Sequence, residues 1–211
     1  MCGPVRVANL DYSLVQNGAR HDGIVETPPW GRVILLLPLA WWTLTLSTGH
    51  SSWCFLDYAN LAFHEAGHLF LSFAGKTLHY LGGTLGQLLV PGLLIVHFLV
   101  RQRQPFAAAL CAWWVGQNLV SIAIYMADAR SLALPLVGGG DHDWNELFYQ
   151  FGLLTEPAVA RVASMTHALG VLLMLMGLAW SAYFILPSPT QARIRSQLSA
   201  RWPWLQPALG A

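Results

Sequence analysis

Charge is what this sequence has least of. Asp, Glu, Lys and Arg make up 10% of its 211 residues, against about 25% charged residues in a typical soluble domain. The net charge of +1 gives no basis for nucleic-acid binding, which needs clustered cations to neutralise phosphates. Cysteine is scarce too. Cys2, Cys54 and Cys111 lie too far apart for a paired thiolate metal site or a redox motif. Cys2 follows Met1 with no apolar stretch before it, so it does not read as a lipoprotein cleavage site. The first 31 residues contain Pro28-Pro29 and lack the apolar centre of a signal peptide. No internal repeat, second soluble domain or adjacent histidine pair is visible.

What is present is apolar. Hydrophobic residues make up 55% of the chain and there are ten Trp. This composition predicts an all-α integral membrane protein. Apolar runs at 33–48, 53–74, 80–100, 106–127 and 160–186 read as about five transmembrane helices, given the ~20 residues a bilayer needs. Residues 1–31 form an extramembrane arm, 32–187 a helical membrane domain and 188–211 an interfacial or disordered tail. Between spans four and five lies a long loop, 128–159, containing Gly138, Gly139 and Gly140. Trp144, Leu147, Phe148 and Phe151 recur there at helical spacing, which predicts a short amphipathic helix against the bilayer surface. The loop is expected to be re-entrant or interfacial.

The second run carries the chemistry: Phe63-His64-Glu65-Ala66-Gly67-His68-Leu69. Residues four apart share a helix face, so His64 and His68 can hold one zinc ion. Glu65 then stands beside the metal as a general base for water. The bland reading is a pair of hydrogen-bonded helix histidines with an incidental Glu. An apolar span argues against it, because ionisable groups there are costly and mark function.

Zinc needs a third protein ligand and an open position. Span two exits on one side, span three crosses back and span four returns, so the loop 128–159 shares a side with the end of span two. The metal is expected about 10–15 Å below that surface. Asp143 is the first choice as third ligand, with His142 and Asp128 as alternates. Asp143 also suits a helix capping box with Glu146, and Asp128 could pair with Arg130. Asp57 reads as a local cap or interfacial residue. Gly82, Gly83 and Gly86 form a small-residue face that lets another helix or an extended substrate approach closely, with helix packing the plainer reading. Gln117 and Asn118 need partners in mid-span, from neighbouring helices or from a substrate. With His79 they are the candidates for binding substrate or stabilising an oxyanion.

These residues resemble the site-2 protease family of intramembrane zinc metalloproteases. The specific match is His64-Glu65-Ala66-Gly67-His68 in an apolar helix, and the segment 82–91, Gly-Gly-Thr-Leu-Gly-Gln-Leu-Leu-Val-Pro, is similar to the glycine-bearing stretch that follows it in bacterial relatives. In that family a later membrane segment supplies an Asp as third ligand in a Leu-Asp-Gly context. The counterpart here, His142-Asp143-Trp144, lacks the Gly. The resemblance covers about residues 55–150 and implies a minimal member without accessory domains. It implies one Zn2+ per chain and hydrolysis of a peptide bond in a transmembrane protein substrate, with Glu65 as base.

Two other readings stay open. One is a membrane di-iron hydroxylase or desaturase, although His21, His50 and His97 are scattered. The other is a non-catalytic metal-binding membrane protein. Arg101, Arg103 and the Arg-bearing tail share one side, which the positive-inside rule makes cytoplasmic. A bacterial inner membrane suits this arrangement. If the first apolar run does not span, the N-terminal arm changes sides while the rest stays.

Overall fold

The computed structural model describes residues 29–137 and 140–201. Most of the N-terminal arm, Cys2, His21, Gly138, Gly139 and the end of the tail lie outside the described residues. Those described form α1 (Pro29–Ser47), α2 (Asp57–Leu71), a 3-10 turn (Ser72–Ala74), α3 (Lys76–Val100), α4 (Pro105–Ala127), α5 (Asp143–Gln150), α6 (Glu156–Tyr183) and α7 (Ser188–Arg201), with no strand among them.

Four helices are long and apolar enough to cross a membrane: α1, α3, α4 and α6. The motif helix α2 is not one of them. It has 15 residues, which is about 22 Å of helix. The expected second span is shorter because residues 48–56 do not continue as regular helix; Gly49 there adopts φ +71°. Large apolar side chains such as Trp41, Leu69, Phe70 and Phe73 are exposed, as expected of faces that meet lipid rather than water.

Hydrogen bonds give the relative heights of the helices. Arg32 at the start of α1 donates to the Phe184 carbonyl just past α6 and lies over the Phe106 ring at the start of α4. The Leu46 carbonyl near the end of α1 meets His167 at 3.4 Å, in the middle of α6. α1 therefore stops part-way along the bundle. α2 begins at that height, where Asp57 reaches Gln117 and Ser121 of α4, and continues to the end where α3 starts. The two helices follow one another along the bundle axis.

Small residues set the packing. The main contact joins α4 to α6. A Cβ on Gly116 would lie 2.6 Å from the Met174 nitrogen, and one on Gly177 2.6 Å from that of Trp113. The two backbones can approach this closely only without those side chains. Trp113, Val120 and Met174 are fully enclosed there with Leu46. The α2–α3 contact is closer still, with Gly67 against Gly82 and Gly86.

Helix α5 differs from the expected surface helix. Its apolar side is covered by the bundle: Leu147 and Phe148 are buried, and Phe148 packs with Ile122, Met126, Val159 and Ala163. Tyr149 and Phe151 remain exposed. The tail also differs, being helical through Arg201.

Candidate metal centre

The site is built from α2, the start of α3, the end of α4 and the first residue of α5. The four-residue spacing in α2 brings the His64 and His68 rings edge to face, with centroids 4.7 Å apart. The His68 Nδ1 lies 2.7 Å from the His79 carbonyl oxygen. A carbonyl can only accept, so Nδ1 carries the proton, and the Nε2 of the neutral ring presents a lone pair. The His79 ring in turn contacts the His68 carbonyl at 3.3 Å. These reciprocal contacts hold α2 to α3 and fix the ring orientation, as partners behind metal-binding histidines do.

Asp143 closes the set from the other side of the sequence. Its Oδ2 lies 3.0 Å from His64 Nε2 and 3.2 Å from His68 Nε2. All three ligand atoms fall within 4.8 Å of one another. Because the His68 proton sits on Nδ1, its lone pair faces a carboxylate lone pair. That arrangement is favourable only with a proton or a cation between them. Two imidazoles and one carboxylate, with a cavity on the remaining side, fit a single metal ion with an open position. The same donors suit zinc or non-haem iron. Gly83 makes the room, since a Cβ there would run into the His64 imidazole.

A cavity of about 690 Å³ opens on this cluster, and Glu65, His79 and Tyr125 line it with the three ligand residues. Its size is that of a site for a small ligand or a few extended residues. His68 faces His79, three residues into α3, and His64 faces Tyr125, two residues before the end of α4. The cluster therefore lies near this end of the bundle.

The other expected ligands have different work. His142 is the N-cap of α5, its ring accepting from the Asn145 N–H at 3.2 Å. It takes the cap position that the sequence suggested for Asp143. The Asp128 carboxylate accepts from Ser131 Oγ and from the Ala133 and Leu134 N–H groups at 2.6–2.9 Å, rather than pairing with Arg130. It lies 3.6 Å from His142 Nε2, so the pair ties the two ends of the loop together. Burial alone would raise the Asp128 carboxyl, but those hydrogen bonds and the His142 ring hold it below its usual range. Burial pushes the His142 imidazole down, against the pull of Asp128.

Gln117 and Asn118 do not line the cavity. Gln117 donates to Asp57 and accepts from Asn60, both at 2.8 Å. Asn118 donates to the Trp114 carbonyl. Asp57 is the hub of this network and more than a cap. It accepts from Cys54 N–H, Asn60, Gln117 and Ser121, while the Asn60 carbonyl accepts from Trp114. The network anchors the first turn of α2 on α4 and so sets the height of His64 and His68.

Tyr125 carries no sequence signal of its own: it is a common residue in an apolar helix, and only the three-dimensional arrangement brings it to the cluster. Gly83 stands in the glycine-bearing stretch, but its place against the His64 ring is set by packing. Comparison with family models, with curated proteins and with solved structures gives no match to this chain.

Proposed function

We propose that the chain is an intramembrane zinc metalloprotease acting on membrane-anchored protein substrates. The observation that carries the reading is Glu65. It is exposed to the cavity beside a His64, His68 and Asp143 cluster able to hold a metal, inside a bundle of apolar helices.

When bound, zinc supplies Lewis acidity toward a carbonyl oxygen and makes water a stronger nucleophile. His64, His68 and Asp143 would hold the ion. Glu65 accepts a proton from the attacking water as the C–O bond forms, then delivers it to the leaving nitrogen as the C–N bond breaks. His79, on the cavity wall behind His68, is the remaining substrate-binding residue of those named from the sequence. Gln117 and Asn118 serve the helix network instead.

The arginines give the bundle a sidedness, which a bacterial inner membrane would suit. The start of α1, the α3–α4 turn with Arg101 and Arg103, and α7 with Arg193 and Arg195 lie at one end. The positive-inside rule makes that end cytoplasmic. The metal cluster is near the opposite end, so the scissile bond would lie toward the outer face.

A single metal group of this kind among the described residues favours a mononuclear site over a di-iron one. His97 and His167 lie elsewhere on α3 and α6. The test is cleavage of casein and of a reconstituted single-span protein by the purified chain in detergent. Glu65→Gln is expected to keep its metal and lose at least about 100-fold in rate. Equal cleavage by wild type and Glu65→Gln would overturn the reading.

A further inference from the structure

Beyond the four residues of the motif and its third ligand, the geometry points to Tyr125 as a catalytic hydrogen-bond donor: we propose that its hydroxyl holds the carbonyl oxygen of the bound substrate. The inference rests on the hydrolase reading above and adds the group that reading lacks, a donor for the oxygen on which charge develops.

Tyr125 projects from the last turn of α4 and packs against two histidine rings. Its ring lies 6.0 Å from that of His64 and 4.1 Å from that of His142. The hydroxyl oxygen accepts the backbone N–H of Asp143 at 3.2 Å. A phenol has one proton to give, and the Asp143 N–H already occupies one side of the oxygen. The O–H must therefore point elsewhere. The Asp143 carboxylate is close by, and the cavity containing Glu65, His64 and His68 lies on the same wall. A metal would engage the Asp143 oxygen that faces the two histidines, and a carbonyl oxygen brought into the cavity then competes with the rest of that carboxylate for the single hydroxyl proton. Accepting from an N–H also strengthens the phenol as a donor. The ring is fixed before substrate arrives, so little ordering is needed.

The same contact could make Tyr125 only an anchor for Asp143, and the two roles give different results. The probe is acetohydroxamate, which chelates a protein-bound metal and presents a carbonyl oxygen beside it. Its affinity is measured on metal-loaded wild type, Tyr125→Phe and Tyr125→His in detergent, together with metal content and casein cleavage. The donor role predicts that Tyr125→Phe keeps its metal with affinity within about threefold, binds acetohydroxamate about tenfold more weakly and loses about 100-fold in kcat. Tyr125→His, which restores a ring donor, is expected to regain part of the affinity.

Unchanged acetohydroxamate affinity in Tyr125→Phe overturns the proposal, as does loss of its metal, which assigns the anchoring role. A wild type that binds metal but not the probe also overturns it. The parent reading fails separately. If wild type binds metal and probe, shows the Tyr125→Phe difference and cleaves nothing, the donor stands and proteolysis does not. A failure of Tyr125→Phe to fold leaves the decision to Tyr125→His, for which retained metal with acetohydroxamate affinity below that of wild type is expected and loss of metal counts against the proposal.

Discussion

Replacing Gly83 by Ala is a one-atom test of how the cluster is built. The new Cβ would lie 2.6 Å from His64 Nδ1 and closer still to two other ring atoms. Ordinary contacts begin near 3.4 Å, so the ring must withdraw by about 1 Å, whereas metal–ligand distances tolerate only about 0.2 Å. The expected result is loss of at least about 100-fold in metal affinity, since disturbing even the partners behind a ligand costs about 10–100-fold. The helix itself tolerates the change, because Ala is favoured over Gly by about 1 kcal/mol in a helix interior. Metal-free stability should therefore stay within about 1 kcal/mol of wild type. Two further variants bracket the effect. Gly92→Ala, with nothing within 4 Å, should keep its metal and gain slightly in stability. Gly67→Ala drives its Cβ into the Gly82 carbonyl, a backbone atom that cannot rotate away, and should cost about 1–3 kcal/mol by overpacking. Metal content and thermal unfolding of the three proteins in detergent decide the matter. A Gly83→Ala protein that binds metal as tightly as wild type would refute this account of the His64 position.

Asp57→Ala should destabilise the metal-free protein by about 3 kcal/mol or more, because its four donors lose their shared acceptor; a change below about 1 kcal/mol in denaturant titration would contradict the hub assignment. His79→Ala should keep its metal, since His68 bonds to the backbone carbonyl of that residue and not to its ring; metal analysis checks this. Burial keeps the folded-state pKa of His142 below its ordinary value, so the unfolded chain binds the proton more readily. The stability this gives is complete above about pH 6.5 and fades as pH falls toward the lower folded value. Hydrogen-exchange protection of the Ala133 and Leu134 amides should decline from pH 7 to 5, and His142→Asn should remove that slope while retaining a capping side chain.

The legible part of the site was local. The spacing of His64 and His68 needs only helix periodicity, and the order in which apolar runs cross needs no more to put the loop with Asp128, His142 and Asp143 on the motif's side; which of the three joins the histidines is a matter of packing. Other features depend on depth and rotation, which the sequence does not express. Gln117 and Asn118 look alike in sequence, yet rotation about α4 turns both away from the cavity. Asp57 reads as a cap because its neighbours Cys54 and Asn60 are close in sequence, while Gln117 and Ser121 join it only through packing. The five-span reading counted residues 53–56 as membrane helix on apolarity alone. Residues 48–56 contain Gly49-His50-Ser51-Ser52, where side-chain and turn hydrogen bonds replace regular helix. Trp144, Leu147 and Phe148 gave the right period for α5, but period does not say whether the covering surface is lipid or protein.

The central claim is that His64, His68 and Asp143 hold one metal ion, and metal analysis of the purified full chain tests it most directly. Wild type, His68→Ala and Asp143→Ala would be isolated in the same detergent, with folding checked by circular dichroism. The account predicts about one zinc per chain in wild type and loss of it in both variants. Folded wild type without metal after zinc loading, or an Asp143→Ala protein that binds zinc as tightly as wild type, would contradict it.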